Sequence, residues 1–132
     1  MKVLYPFLIL AFISSCSYHY EETNSTGYTQ GELVHTVFLS LKDEVTQNRK
    51  EKIIKILKSL GEIKVTKGLT VSVKAETEDA RAETNYDLVL QMAFKDLKDL
   101  HLYSVNSSHL EIRAQLKPDL ASVPVVYDYW VK

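Results

Sequence analysis

Residues 33–41 read Leu33-Val34-His35-Thr36-Val37-Phe38-Leu39-Ser40-Leu41. A run this rich in β-branched and large apolar side chains forms a strand, and period two divides it into two faces. One face carries Leu33, His35, Val37, Leu39 and Leu41; the other carries Val34, Thr36, Phe38 and Ser40. Apolar residues occupy both faces. The sheet containing this strand therefore needs cover on each side.

Working outward, Thr46 is placed to cap a helix whose apolar stripe is Ile53, Ile54, Leu57 and Leu60, with Gly61 as its C-terminal cap. Lysines and Glu51 form its solvated face. A second strand is expected over 63–74, bent or broken at Gly68, and the charged stretch 75–85 reads as a connection. The third strand, 86–94, sets Tyr86, Leu88, Leu90, Met92 and Phe94 on one face. Asp96 opens a short helix to about Val105, using Leu97, Leu100 and Tyr103. The capping-box pattern Ser108-His109-Leu110-Glu111 opens another that ends near Pro118. A last strand over 122–131 alternates Val123, Val125, Tyr127 and Tyr129 against Val126, Asp128 and Trp130. Strand, helix, strand, strand, helix pair, strand is the order of an α+β fold: an antiparallel sheet with helices on one face. Val34, Phe38, Val89 and either Tyr127 or Val126 leave apolar area on the other face, which a second copy of the chain would cover.

The chain has 132 residues, 45% hydrophobic and 25% charged, with a net charge of −1. That is one domain of ordinary globular composition, with no basic excess to hold a nucleic-acid backbone. The single cysteine excludes a disulfide framework and a multi-cysteine metal site. His101 and His109 match no zinc spacing, so neither metal nor cofactor is expected. No Gly-rich phosphate loop and no Ser-centred elbow is present.

Upstream, Lys2 precedes an apolar run from Val3 to Ile13, too short for the roughly 20 residues that cross a bilayer. This is a secretory signal pattern, and Ile13-Ser14-Ser15-Cys16 resembles a bacterial lipobox. In such signals the cysteine thiol receives diacylglycerol and the amine freed by cleavage is acylated in turn. The expected organisation is a lipoprotein signal peptide over 1–15, a flexible polar tether over 16–31 and one domain over 32–132. Lipidation at Cys16 would place the protein at the cell envelope. Ser17 beside the cysteine is compatible with outer-membrane sorting.

The domain resembles the stress-responsive α/β-barrel (Dabb) family. The carrying residues are Val34-His35-Thr36-Val37-Phe38, Leu41 through Thr46, Tyr86-Asp87-Leu88-Val89-Leu90, Tyr103 through His109, and Val126-Tyr127-Asp128-Tyr129. The resemblance implies a ferredoxin-like fold, a homodimeric α/β barrel closed by two sheets, and a cavity between sheet and helices in each protomer. One member is a plant polyketide cyclase that closes a ring with a histidine and a tyrosine. His109 and Tyr103 match those positions, and His35 matches a further cavity histidine. Asn106-Ser107 stands where members often carry His-Pro. Leu57 replaces a tyrosine of the cyclase's first helix, and Leu88 a histidine of its third strand.

Two functions follow. As a binding module, the domain would hold a small apolar or aromatic ligand among His35, Val37, Leu39, Leu57 and Leu88, with Ile53 and Leu90 nearby. As an enzyme of the cyclase-like or cofactor-free oxygenase-like type, it would use His109 as base and Tyr103 as hydrogen-bond donor to a developing oxyanion. Against these stands a purely structural role for the same pair. Asp87 and Asp128 read as loop-pairing or dimer-face carboxylates rather than an acid/base couple.

Overall fold

A computed structural model of the chain describes residues 27–132. The signal segment and Cys16 lie outside the described residues. Seven elements follow in order: β1 (Leu33–Leu39), α1 (Gln47–Lys58), β2 (Lys67–Val73), β3 (Leu88–Phe94), α2 (Leu97–Ser104), α3 (Ser107–Leu116) and β4 (Val125–Trp130). The strands form one antiparallel sheet in the order β2-β3-β1-β4. This is the ferredoxin-like α+β arrangement, with the helices on one face.

Alternation dictates that face. Leu33, Val37 and Leu39 of β1 lie in register with Phe94, Leu90 and Leu88 of β3, and all pack into the core. Ile53 and Leu57 of α1, Tyr103 of α2 and Leu116 of α3 close over them. Every strand and helix described, and the core they share, is built from residues 27–132.

Two caps sit where the sequence puts them. The Thr46 side chain accepts from the Arg49 N–H at 3.2 Å, and Asp96 accepts from the Asp99 N–H at 3.0 Å. Four boundaries differ. Helix α1 ends at Lys58, and its chain tightens into a 3₁₀ turn over Ser59–Glu62, so Gly61 is not its cap. Ile63 then joins the core rather than a strand, because Thr66 Oγ1 donates to the Leu60 and Ile63 carbonyls and holds a turn there. Asn106 caps α3 by accepting from the Ser108 N–H at 3.0 Å, which places Ser108 and His109 inside the first turn. Tyr86 precedes β3 and leaves the inner face, meeting Phe38 edge-on at 5.0 Å.

On the outer face, Val34, Thr36 and Phe38 lie in register with Tyr129, Tyr127 and Val125 of β4. It is therefore Tyr127, not Val126, that shares this face. Tyr127 is 58% exposed and Val125 53% exposed. A polar bridge crosses the middle, Gln91 Nε2 donating to Thr36 Oγ1 at 2.9 Å and to the Tyr129 hydroxyl at 3.1 Å.

One end of that face is covered by the segment expected to be free. Tyr28 is buried against Val34 and Ala93, and its hydroxyl donates to the Gly68 carbonyl at 3.0 Å. Around it Gly31 N–H donates to Val131 O, Glu32 accepts from the Thr29 N–H, and Glu32 pairs with Lys67 at 2.6 Å. A polar stretch with two glycines reads as a tether, but an amphipathic tyrosine with a hollow and a carbonyl within reach docks. The tether reading fails at Tyr28.

Gly68 makes that hollow. It sits at φ +59° where the β2–β3 register shifts between Lys67 and Thr70, an irregularity at the glycine expected to bend or break the strand. A Cβ there would meet Tyr28 Cε1 at 2.8 Å. Gly68→Ala is expected to destabilise by about 1–3 kcal/mol, from the left-handed backbone and the displaced ring. In a Tyr28→Ala background the same change should cost less. Equal losses in the two backgrounds, read by urea unfolding, would refute the contact.

Candidate functional site

The sheet and helices do not meet everywhere. Between β1 and β4 on one side and α2, α3 and the chain after α3 on the other lies a cavity of about 900 Å³. The sheet contributes His35, Val37, Leu39, Leu90 and Val126. Helices α1 and α2 contribute Leu57, Leu100 and Tyr103; α3 contributes His109, Ile112 and Leu116. Val123, at 86% exposure, stands at its mouth. Carbon dominates these walls, with a few polar groups gathered in one place.

Those groups are fixed by local structure. Tyr103 lies near the end of α2, and the corner capped by Asn106 turns the chain directly into α3. His109, the third residue of α3, is thereby folded back over Tyr103, ring centroids 4.2 Å apart at 32°. His109 Nδ1 lies 3.3 Å from the Ser104 carbonyl. A carbonyl only accepts, so this contact puts the proton on Nδ1 and leaves Nε2 as acceptor. Burial pulls the His109 pKa below the usual histidine value, the charges of Arg113 and His35 adding to it, with the Ser104 bond opposing. The imidazole is thus neutral at pH 7. Burial pushes the Tyr103 pKa up, opposed by Arg113, so the phenol keeps its proton. No group among the described residues hydrogen-bonds that hydroxyl, and it is not sealed in the core as an unpaired polar atom.

His35 completes the cluster. Its ring meets Tyr103 edge-on at 6.0 Å, and its Nδ1 donates to Asp128 Oδ1 at 2.6 Å. Period two places Asp128 opposite His35 on the inner face. Asp128 is thus a partner of a cavity histidine, not a dimer-face carboxylate. Asp87 is the loop-pairing group expected, accepting from the Leu41 N–H at 2.8 Å.

Of the residues named from sequence, His35, Val37, Leu39, Leu57, Leu90, Tyr103 and His109 converge on the cavity. Leu88 and Ile53 do not. Leu88 is wholly buried in the core between Leu39 and Val73, and Ile53 is buried in that core from α1, while the space opens toward β4. Missed from sequence were Arg113 and Lys117 at the rim and the loop Ser122-Val123-Pro124. Among the described residues no group of three or more His, Cys, Asp or Glu converges to hold a metal ion.

The family model for the stress-responsive A/B barrel domain matches residues 33–131. The chain belongs to the Dabb family. No curated protein matches the chain in sequence. Among solved structures, a hydroxynitrile lyase from Passiflora edulis superposes with a TM-score of 0.69 at 17% identity, covering 79% of this chain and 96% of that one. An Arabidopsis thaliana protein gives a TM-score of 0.67 at 20% identity, covering 76% and 95%. A dimeric ferredoxin-like protein from Thermobifida fusca gives 0.64 at 23%, covering 79% and 95%. At these identities the likeness to this Dabb domain is one of fold.

Proposed function

We propose that the chain is a lipid-anchored Dabb domain of the bacterial cell envelope that dimerises and holds a small apolar or aromatic molecule between its sheet and helices. The carrying observation is the cavity. At about 900 Å³ it falls within the range of small-molecule sites, and it has their make-up of apolar walls and few convergent polar groups. The polar end built from Tyr103, His109 and His35 would orient a ligand by its own polar substituent. The outer apolar face and the dimeric Thermobifida protein support a second copy there. The lipobox pattern ending at Cys16 supports acylation there and an envelope location, and Ser17 supports the outer membrane.

A second reading is favoured by one specific observation. A neutral imidazole stacked on a protonated phenol is a base beside a hydrogen-bond donor, the pair that proton abstraction next to a carbonyl needs. An enzyme of the cyclase-like or cofactor-free oxygenase-like type would use His109 and Tyr103 so. The Passiflora protein shows that this fold carries enzymes.

Tyr103→Phe tests both readings, because it removes only a hydroxyl. With no protein partner to lose, the variant should unfold within about 1 kcal/mol of wild type. Its affinity for 2-acetonaphthone, an aromatic ketone with one acceptor, should fall about 3- to 10-fold by calorimetry. A large stability loss with unchanged affinity would assign the hydroxyl to the fold instead.

A further inference from the structure

Two cations edge the cavity and no anion does. Arg113 and Lys117 both line it, while none of its lining residues is an aspartate or glutamate. They stand four residues apart at the end of α3, where side chains share a helix face and like charges repel. Every salt bridge among the described residues involves other groups: Arg49 is held by Asp119, Lys50 by Asp87, Lys67 by Glu32, Lys74 by Glu76, Arg81 by Asp79 and His35 by Asp128.

Arg113 is exposed, and it lies at the edge of the cavity. Its charge acts on both Tyr103 and His109, the two rings at the polar end of the cavity. The guanidinium and the two rings line the same cavity, at the end where a ligand's polar substituent would lie. The same cavity is also lined by the exposed apolar residues Leu110, Val123 and Val126. A guanidinium beside apolar walls binds a carboxylate through short, charge-assisted hydrogen bonds that water does not fully compete away.

Building on the cavity reading above, we infer that the ligand is an apolar or aromatic carboxylate, its carbon skeleton among the leucines and its anionic group held between Arg113, Lys117 and the Tyr103–His109 pair. An anion there relieves the Arg113–Lys117 repulsion, accepts from the Tyr103 hydroxyl and needs no partner the cavity lacks. A cationic ligand would meet two like charges, and a neutral one would leave them unanswered.

Two probes of nearly equal shape separate the charge from the cavity. 2-Naphthoate and 2-acetonaphthone differ by a carboxylate against a methyl ketone. Titrated into the full chain by calorimetry at low salt, 2-naphthoate should bind about tenfold more tightly. Raising the salt to 0.5 M should shrink that ratio, because screening acts on the charge and not on the ring. Arg113→Gln/Lys117→Gln should bring the ratio near one while 2-acetonaphthone affinity holds. Both side chains are exposed, so circular dichroism of the variant should match wild type. If 2-acetonaphthone binds and 2-naphthoate binds no better, the carboxylate inference fails and the cavity reading stands. If neither probe binds, the cavity reading itself fails and takes this inference with it.

Discussion

A Phe38→Asp chain is expected to sediment as a monomer at micromolar concentrations where the wild type is expected to sediment as a dimer. Phe38 lies on the outer sheet face, edge-on to Tyr86 at 5.0 Å and to Tyr127 at 5.9 Å. Within one protomer that cluster is half in water, so an aspartate there can stay hydrated and the fold should persist. Under a second sheet the same carboxylate would be buried without a partner, at a cost of several kcal/mol. An isologous interface carries each substitution twice, so the dissociation constant should rise by 100-fold or more. Tyr127→Asp guards against a folding defect, since Tyr127 is exposed in the protomer and contributes little to its core. It should dissociate the dimer while leaving thermal unfolding cooperative. A wild-type monomer, or both variants remaining dimeric, would refute the barrel.

The second large effect concerns Cys16. Diacylglycerol transfer needs the thiol as nucleophile, and a serine hydroxyl is far less reactive at neutral pH. Cys16→Ser should therefore accumulate as a precursor that retains residues 1–15 and takes up no labelled palmitate, while the wild type is processed and labelled. Each buried acyl methylene contributes about 0.8 kcal/mol, so two or three chains hold the wild type firmly and the difference should be all-or-none. Equal labelling of the two proteins would sink the anchor.

Much of this architecture is legible because the strands obey period two so strictly. Leu33 through Leu39 needed no tertiary knowledge to separate core from outer face, and Thr46 and Asp96 are caps whose chemistry is local. What failed depends on geometry between elements. Leu88 and Leu90 share a face and a residue type, yet only the latter borders open space, because α1 seals one end of the sheet and not the other. Asp128 pairs with His35 through strand register, and no pattern along the chain reveals that pairing. Arg113 and Lys117 belong to no motif along the chain; only the cavity they line distinguishes them. Asn106 displaced Ser108 as cap because the helix starts at Ser107, where the asparagine side chain accepts from the orphan Ser108 N–H. Tyr28 was hidden by its polar neighbours.

That docked tyrosine sets a leash. With Cys16 acylated, the chain from there to Tyr28, even fully stretched, spans at most about 40 Å. That is close to the width of a hundred-residue domain. An anchored domain would therefore keep its cavity within about one leash and one domain width of the lipid headgroups. Freeing Tyr28 would lengthen the leash and widen that range without touching a single cavity residue.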